Sequence, residues 1–313
     1  LGDVYKRQIQ NLQQKLRTMT DKQFKAGFVS IVGKPNVGKS TLLNLLLGEK
    51  ISIISPKPQT TRQQIKGIYT DENRQIVFLD TPGFLKARYE LHNKMLEYLQ
   101  NSIRDADVIL YITDARQFPT EYDEQLLAFI EKFPKPKIAL LNKIDLVSED
   151  VWKEMLNLLK GKNFNYVVAR SLTTQPELSE LLDMIMEFLP FNPPFYAGDE
   201  ISDLPIRFFV QEIIREQIFH NFRDEIPYAA SVTVENFNES ENKVEIMANI
   251  WLERKSQKPI LIGKNGEMIK RIRLAAEKEI YAILQKRIKL SLWIKIKPNW
   301  RKKKNALKEF GYR

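Results

Sequence analysis

Over the first 190 residues, short β-branched runs alternate with segments whose apolar positions recur at helical spacing. The runs FVSIV (28–32), IKGIY (65–69), QIVFLD (75–80), DVILYIT (107–113), KIALL (137–141) and NYVVA (165–169) predict six strands. TLLNLLLG (41–48), EQLLAFIEKF (124–133) and ELSELLDMIMEFL (177–189) carry the helical period, and the last stops at Pro190. Strand-then-helix repetition argues for an α/β unit. It should hold a mostly parallel six-stranded sheet with helices on both faces, and bind ligands at the carboxyl ends of its strands. PFNPPFYAGDEISD (190–203) has no periodicity and reads as a linker. Beyond it the order changes to a helix (206–221), two alternating strands (228–237 and 243–253), a helical pair around GKNG (263–266), a strand (289–297) and a last basic helix. The expected division is an extension over 1–25, a first domain over 26–189, the linker 190–203, and a smaller α+β domain over 204–313. Residues 1–18 read as either a non-native stretch, with Met19 as the start, or a frayed extension.

Composition narrows the class. Of 313 residues, 43% are hydrophobic and 28% charged, a globular mix. Cysteine is absent, which excludes disulfides and thiolate metal sites and suits a reducing cytosol. No apolar run approaches the ~18–20 residues that span a bilayer. The net charge of +10 is uneven. Trp251 to Arg313 holds 19 Lys and Arg against 5 Asp and Glu, whereas the rest holds 30 against 34. A neutral-to-acidic front joined to a basic end is the asymmetry of a chain that binds a polyanion at one end. A solubilising surface and a membrane-surface patch are the alternatives.

Three loops carry phosphate and metal chemistry. GKPNVGKS (33–40) follows a strand, opens a helix and satisfies G-x-x-x-x-G-K-[ST]. Gly33, Lys34, Pro35, Asn36, Val37, Gly38, Lys39, Ser40 and Thr41 would curl around a nucleotide's phosphates, with backbone N–H groups and a helix N-terminus facing the anion. Lys39 would reach the outer phosphates, and the Ser40 hydroxyl would ligate Mg²⁺. DTPGF (80–84) should place Asp80 on Mg²⁺, through water, because a small hard ion keeps part of its hydration shell. Thr81, Pro82, Gly83 and Phe84 complete that loop, and the Gly83 N–H would sense a γ-phosphate. Thr61 of PQTTR (58–62) would close the Mg²⁺ shell in the triphosphate state only. Lys39, Thr61 and Gly83 thus support hydrolysis, with no side chain assigned as the catalytic group.

NKID (142–145) ends the fifth strand. Asp145 can accept hydrogen bonds from N1–H and the 2-amino group of guanine, which adenine does not offer, and a buried acid there could discriminate by roughly 10⁴-fold. Asn142 would orient the loop, the Lys143 stem would cover the ring, and Ile144 lies between. At the other end, GKNG (263–266) opens a helix within an α-β-β-α-α-β order, where a turn of this kind clamps about four nucleotides. The candidate RNA contacts are Arg254, Lys258, Ile262, Gly263, Lys264, Asn265, Gly266, Lys270, Arg271 and Arg273. RKKKNALKEF (301–310) reads as a solvated basic helix or as the border of the RNA path.

GKPNVGKS, PQTTR, DTPG and NKID, in that order, resemble the loops of the bacterial translation-factor-related GTPases. With EIIREQIF (212–219), PYAASVTVE (227–235) and ERKSQKPILIGKNGEMIK (253–270), the chain from Ala26 to Tyr312 is similar to the Era family, GTPases with a C-terminal KH domain. The resemblance implies a P-loop GTPase domain followed by a type II KH domain. It also implies guanine contacts from the backbone of Ser171 and Leu172, where Leu172 stands in the place of the usual Ala. Phe84 matches a subgroup with an apolar residue after DTPG, so water must be positioned by backbone, by metal or K⁺, or by a partner. The biology implied is GTP hydrolysis to GDP and binding of small-subunit (16S) rRNA near its 3′ end, with RNA affinity set by nucleotide state. It extends to assistance in 30S assembly and a cytoplasmic location with peripheral inner-membrane association; no DNA binding is expected. The rivals are a GTPase assisting tRNA modification, which would need folate-binding machinery or a terminal Cys, and a non-catalytic membrane adaptor.

Overall fold

The computed structural model describes residues 24–55 and 57–312, so the expected non-native stretch over 1–18 lies outside the described residues. Six strands form the first sheet in the order β2-β3-β1-β4-β5-β6. They are β1 (Lys25–Val32), β2 (Ile65–Thr70), β3 (Arg74–Asp80), β4 (Val108–Asp114), β5 (Lys137–Asn142) and β6 (Tyr166–Arg170). All neighbours run parallel except β2, which is antiparallel to β3. The helices are α1 (Lys39–Leu47), α2 (Glu90–Asp105), α3 (Glu121–Ile130), α4 (Glu149–Lys160) and α5 (Ser179–Phe188). α2 and α4 add to the helices predicted from sequence.

Strand alternation decides which helix each side chain meets. Val29, Ile31, Phe78 and Leu110 pack with Leu42 and Leu43 of α1 and Ile185 of α5. Their neighbours Ile109, Tyr111, Ala139 and Leu141 pack on the other face with Leu99 of α2, Leu127 of α3 and Leu159 of α4. Every residue of β4 is buried, the pattern of a strand covered on both faces. The P-loop, DTPGF and NKID therefore leave the same carboxyl edge of the sheet.

The 190–203 segment is irregular but fastened to that sheet. Ala26 N–H donates to Pro190 O, Ile68 N–H donates to Ile201 O, and Gln75 Nε2 donates to Tyr196 O. Beyond it lie α6 (Ile206–Asn221), α7 (Ile226–Ala229), β7 (Ser231–Glu239), β8 (Lys243–Leu252), α8 (Gln257–Ile262), α9 (Glu267–Leu284), β9 (Arg287–Ile296) and α10 (Lys304–Glu309). β8 is the central strand, antiparallel to β7 and parallel to β9. The strand expected from 228 starts at Ser231, because Pro227 sits in the first turn of a short helix that takes up 226–229.

The basic C-terminal helix also departs from expectation. A 3-10 turn (Trp300–Lys302) and the six-residue α10 replace a long solvated helix. Their lysines face solvent, but Trp300, Ala306, Leu307, Phe310 and Tyr312 are buried against Leu91 and Met95 of α2. Five apolar positions scattered among lysines give no clear period, yet they staple the chain's end to the first domain. Trp300 Nε1 also donates to Ala229 O at 2.8 Å.

His92 lies in α2 beside that interface. Its Nδ1 accepts from Arg88 N–H at 3.2 Å. Burial, with Arg301, Arg62 and Arg88 nearby, lowers its pKa from 6.5 to about 4. The unfolded chain therefore takes up a proton before the folded one, and stability is lost as pH falls from 6.5 towards 4. His92→Gln should lose less urea-unfolding free energy than the parent between about pH 7 and pH 5. An equal loss in both would remove His92 as a source of acid sensitivity.

Candidate functional site

The loops at the carboxyl edge enclose a cleft of about 720 Å³, lined by residues 34–41, 53–55, 58–61 and 83–85 together with Asp114, Arg116, Gln117, Tyr122 and Lys143. Gly38 holds φ at 112°, and a Cβ there would lie 2.5 Å from Asn142 Nδ2. Glycine thus lets the P-loop close onto the NKID strand. Lys39 is buried, with Nζ donating to Gly33 O at 3.2 Å and Lys34 O at 2.7 Å. Burial lowers its pKa to about 8, partly opposed by Asp80.

DTPGF packs directly under this loop. A Cβ on Gly83 would meet Pro35 N at 2.7 Å. Phe84 N–H donates to Gly33 O at 3.1 Å, and the Phe84 ring is half-buried against the α2–α3 side of the core. Phe84 thus packs the loop and supplies no polar atom. Thr81 departs from its expected role: its hydroxyl is buried and donates to Ile31 O at 2.8 Å, so it braces the strand rather than facing a nucleotide.

Ser40, Thr61 and Asp80 do converge. Ser40 Oγ lies 2.9 Å from Thr61 Oγ1 and donates to Asp80 Oδ2 at 3.0 Å. Ser52, outside every recognised motif, also donates to Oδ2, at 2.9 Å. Asp80 is fully buried, and burial raises its pKa against Lys39 and the three hydroxyls. Its Oδ1 has no hydrogen-bond partner among the described residues. One buried carboxylate with an orphaned oxygen, two facing hydroxyls and a lysine for phosphate fit a small hard cation that takes its other ligands from water and a nucleotide.

Asn142 staples the NKID and ARSLTT loops to the P-loop. Its Nδ2 donates to Val37 O at 2.8 Å, and its Oδ1 accepts from Lys143 N at 2.7 Å and Leu172 N at 3.1 Å. The Leu172 N–H is therefore already engaged, and its side chain is buried in the core; this corrects its expected role as a backbone donor to guanine. Ser171 is buried too, with its hydroxyl accepting from Thr174 N–H at 3.1 Å. Asp145 is exposed rather than buried, on a 3-10 turn with Ile144, so guanine discrimination of the expected size requires the bound purine to cover it. Lys143 Nζ donates to Asn36 O at 2.5 Å and pairs with Asp114 at 2.8 Å. Asp114, missed in the sequence, is held down to about pKa 2 because Arg116 and Lys143 outweigh its burial.

Lys34 also turns away from the cleft. Its ammonium pairs with buried Asp123 at 2.5 Å and donates to Thr120 Oγ1 at 3.0 Å. Asp123 Oδ1 accepts from Tyr111 Oη at 2.8 Å and Thr113 Oγ1 at 3.0 Å, and Oδ2 accepts from Thr120 N–H at 2.9 Å, capping α3. Only the Lys34 backbone is left for phosphate.

In the smaller domain, Gly263 and Gly266 hold φ of 74° and 79°, and Lys264, Asn265, Lys270, Arg271, Arg254 and Lys258 are exposed around the turn. Ile262 is half-buried beside it. Ile260, not anticipated, is 52% exposed. Arg273 is engaged on its own helix, with Nη1 2.9 Å from Glu277, and is less available to phosphate than expected.

A family model described as 50S ribosome-binding GTPase matches residues 28–143, and one described as KH domain matches 225–301. The GTPase Era of Geotalea uraniireducens (strain Rf4) is 42% identical over 296 residues, covering 94% of this chain and 100% of that protein. The GTPase Era of Carboxydothermus hydrogenoformans is 43% identical over 295 residues, with 92% and 98% covered. A crystal structure of a Tyr-to-Ala variant of Aquifex aeolicus Era bound to GDP.AlF4− matches with TM-score 0.89 at 37% identity, covering 92% of this chain and 99% of that one. Era in complex with MgGDPNP and nucleotides 1506–1542 of 16S ribosomal RNA matches with TM-score 0.89 at 38% identity and the same coverage.

Lys34→Met should strand the Asp123 charge and lower stability by about 3–5 kcal/mol. Adding Asp123→Asn, which removes that charge, should recover a substantial part in urea unfolding. A double variant no more stable than the single one would show that the pair is not coupled.

Proposed function

The chain belongs to the Era family of GTPases, and on that premise we propose that it is a GTP-driven switch gripping the unpaired 3′ end of small-subunit rRNA. It hydrolyses GTP, and its second domain is a KH domain. We place its action in maturation of the 30S subunit, in the cytoplasm with peripheral contact to the inner membrane. Among the described residues no helix is long and apolar enough to cross a membrane. The tRNA-modification and adaptor readings are not favoured, because the similarity to Era proteins runs through both domains.

In this reading, Ser40 and Thr61 would hold Mg²⁺ directly and Asp80 would hold it through water; the ion would neutralise charge developing on the phosphates. Lys39 would neutralise the outer phosphates, and the Gly83 N–H would contact the γ-phosphate. Phe84 offers no polar atom to aim water. Unassisted turnover should therefore be slow, on the order of 10⁻⁴–10⁻² s⁻¹. A K⁺ ion at the P-loop or bound RNA could supply the missing stabilisation.

The observation that carries the switch is the adjacency of Thr61 and Arg62. Thr61 faces the Ser40–Asp80 cluster. Arg62 is buried and points the other way, donating to Ala230 O at 2.7 Å, Pro227 O at 2.9 Å and Tyr228 O at 3.1 Å. Those carbonyls close α7 at the entrance to the KH sheet. The same loop makes further ties to α6: Lys50 pairs with Glu216 at 2.6 Å, Lys57 donates to Phe219 O and Phe222 O, and Arg215 donates to Thr60 O. A γ-phosphate that draws Thr61 towards the metal must either carry Arg62's partners along or leave a buried guanidinium unpaired, which is costly.

Two substitutions test this reading. Asp145→Asn turns one accepting oxygen into a donor and should shift preference from guanine towards xanthine nucleotides in competition binding; unchanged selectivity would remove Asp145 as the base reader. Arg62→Met keeps much of the buried volume but drops the bonds to α7. It should equalise RNA affinity between the GDP and GTP-analogue forms. A variant in which the two forms still differ as in the parent would contradict the linkage.

A further inference from the structure

One face of the KH sheet is covered by α6 and α9, onto which Ile246, Ala248, Ile250 and Leu290 pack. Residues of the other parity point away from those helices. On that face Trp293 is 57% exposed and Met247, diagonal to it across the β8–β9 pair, is 37% exposed. Lys289 and Lys295 flank Trp293 along β9. Two acids near this face are engaged: Glu235 accepts from Nδ2 of Asn249, the ladder partner of Trp293, and Glu245 is paired with Lys243 at 2.5 Å and Lys289 at 3.5 Å. Further across, Trp251 is covered: Phe310 lies 5.3 Å from it, and the Lys295 ammonium sits 5.2 Å over its ring. The C-terminal segment thus closes one part of the face and leaves an open indole among cations.

We propose that this open face is a second contact for single-stranded RNA, in which an unpaired base stacks on Trp293 while Lys289 and Lys295 attract the backbone. It rests on the reading that the chain binds RNA. Charge complementarity selects a polyanion, and a broad, exposed, electron-rich ring selects one that also brings a flat apolar face. A duplex buries its base faces in its own stack. An acidic peptide brings the charge without the plane, and is the competing occupant. The GKNG turn opens α9, on the helix-bearing side of the sheet, and a clamp of this kind holds about four nucleotides. A strand must be longer than that to occupy both places.

The test uses the full chain, fluorescence anisotropy and two labelled single-stranded RNAs, one of about 4 nucleotides and one of roughly 12. Trp293→Ala, at an exposed position, should weaken the longer strand roughly 5- to 100-fold, the weight of one base–aromatic stack, and leave the shorter one unchanged. Trp293→Phe should restore most of the affinity. The proposal is overturned if Trp293→Ala leaves the longer strand unaffected, weakens both strands equally, or instead weakens binding of polyglutamate. Replacing both Gly263 and Gly266 by Asp separates this from the clamp. If that variant holds both strands as the parent does, the clamp assignment fails, and a Trp293 effect that persists on the longer strand still supports the platform.

Discussion

The buried guanidinium of Arg62 ties the two halves of this molecule together. Arg62 belongs by sequence to the PQTTR loop, yet its guanidinium donates to the carbonyls of Ala230, Pro227 and Tyr228 in the KH domain. Among the described residues no carboxylate pairs with it. Its ring neighbours are Phe219 and Trp300, with the guanidinium carbon 5.9 and 5.8 Å from their centroids. A charge held by backbone dipoles and aromatic faces in a buried interface is sensitive to position, because a shift breaks bonds in a low-dielectric setting where unpaired charge is costly. Meanwhile Thr61, one residue away, has its hydroxyl at the site expected to gain or lose a metal ligand on hydrolysis. Two adjacent residues with opposite orientations therefore place the Ser40–Asp80 cluster and the KH domain's α7 on one short segment.

The interface around Arg62 is more than one contact. The chain's end returns to α2 through Trp300, Leu307, Phe310 and Tyr312. Lys50 bridges Glu216 of α6 and Glu279 of α9, at 2.6 and 2.8 Å. The 190–203 segment is bonded to β1, β3 and β2 of the first sheet before it leads into α6. Thus the linker, the terminal staple and the 50–62 segment each tie the KH domain to the first domain.

Most of the architecture was legible because local pattern and tertiary environment agree. The six strands of the first sheet are short β-branched runs, and both faces are covered, so their reading did not depend on register. The motif loops carry spacing that only a phosphate-binding turn requires, and Ser40, Thr61 and Asp80 came together as expected. What escaped depended on contacts between distant segments. Ser52 reaches Asp80 from an unremarkable ISIIS run. Asp114 is held by Arg116 and by Lys143, which reaches it from a distant strand end, and Leu172 loses its expected role because Asn142 takes its N–H first. Lys34 looked like a phosphate ligand by position, but Asp123, 89 residues away, claims its charge. The basic tail misled for a related reason: its lysines dominate the composition while a few scattered aromatics decide where it docks.

The central claim is that exchanging GDP for a GTP analogue moves the KH domain relative to the sheet. Because the natural chain has no cysteine, a pair can be introduced cleanly at exposed Glu124 on α3 and Lys278 on α9 and spin-labelled. Double electron–electron resonance would then report the interdomain distance in each nucleotide form, with magnesium present. The account predicts two distinct distance distributions. Superimposable distributions, with both nucleotides shown to be bound, would contradict it.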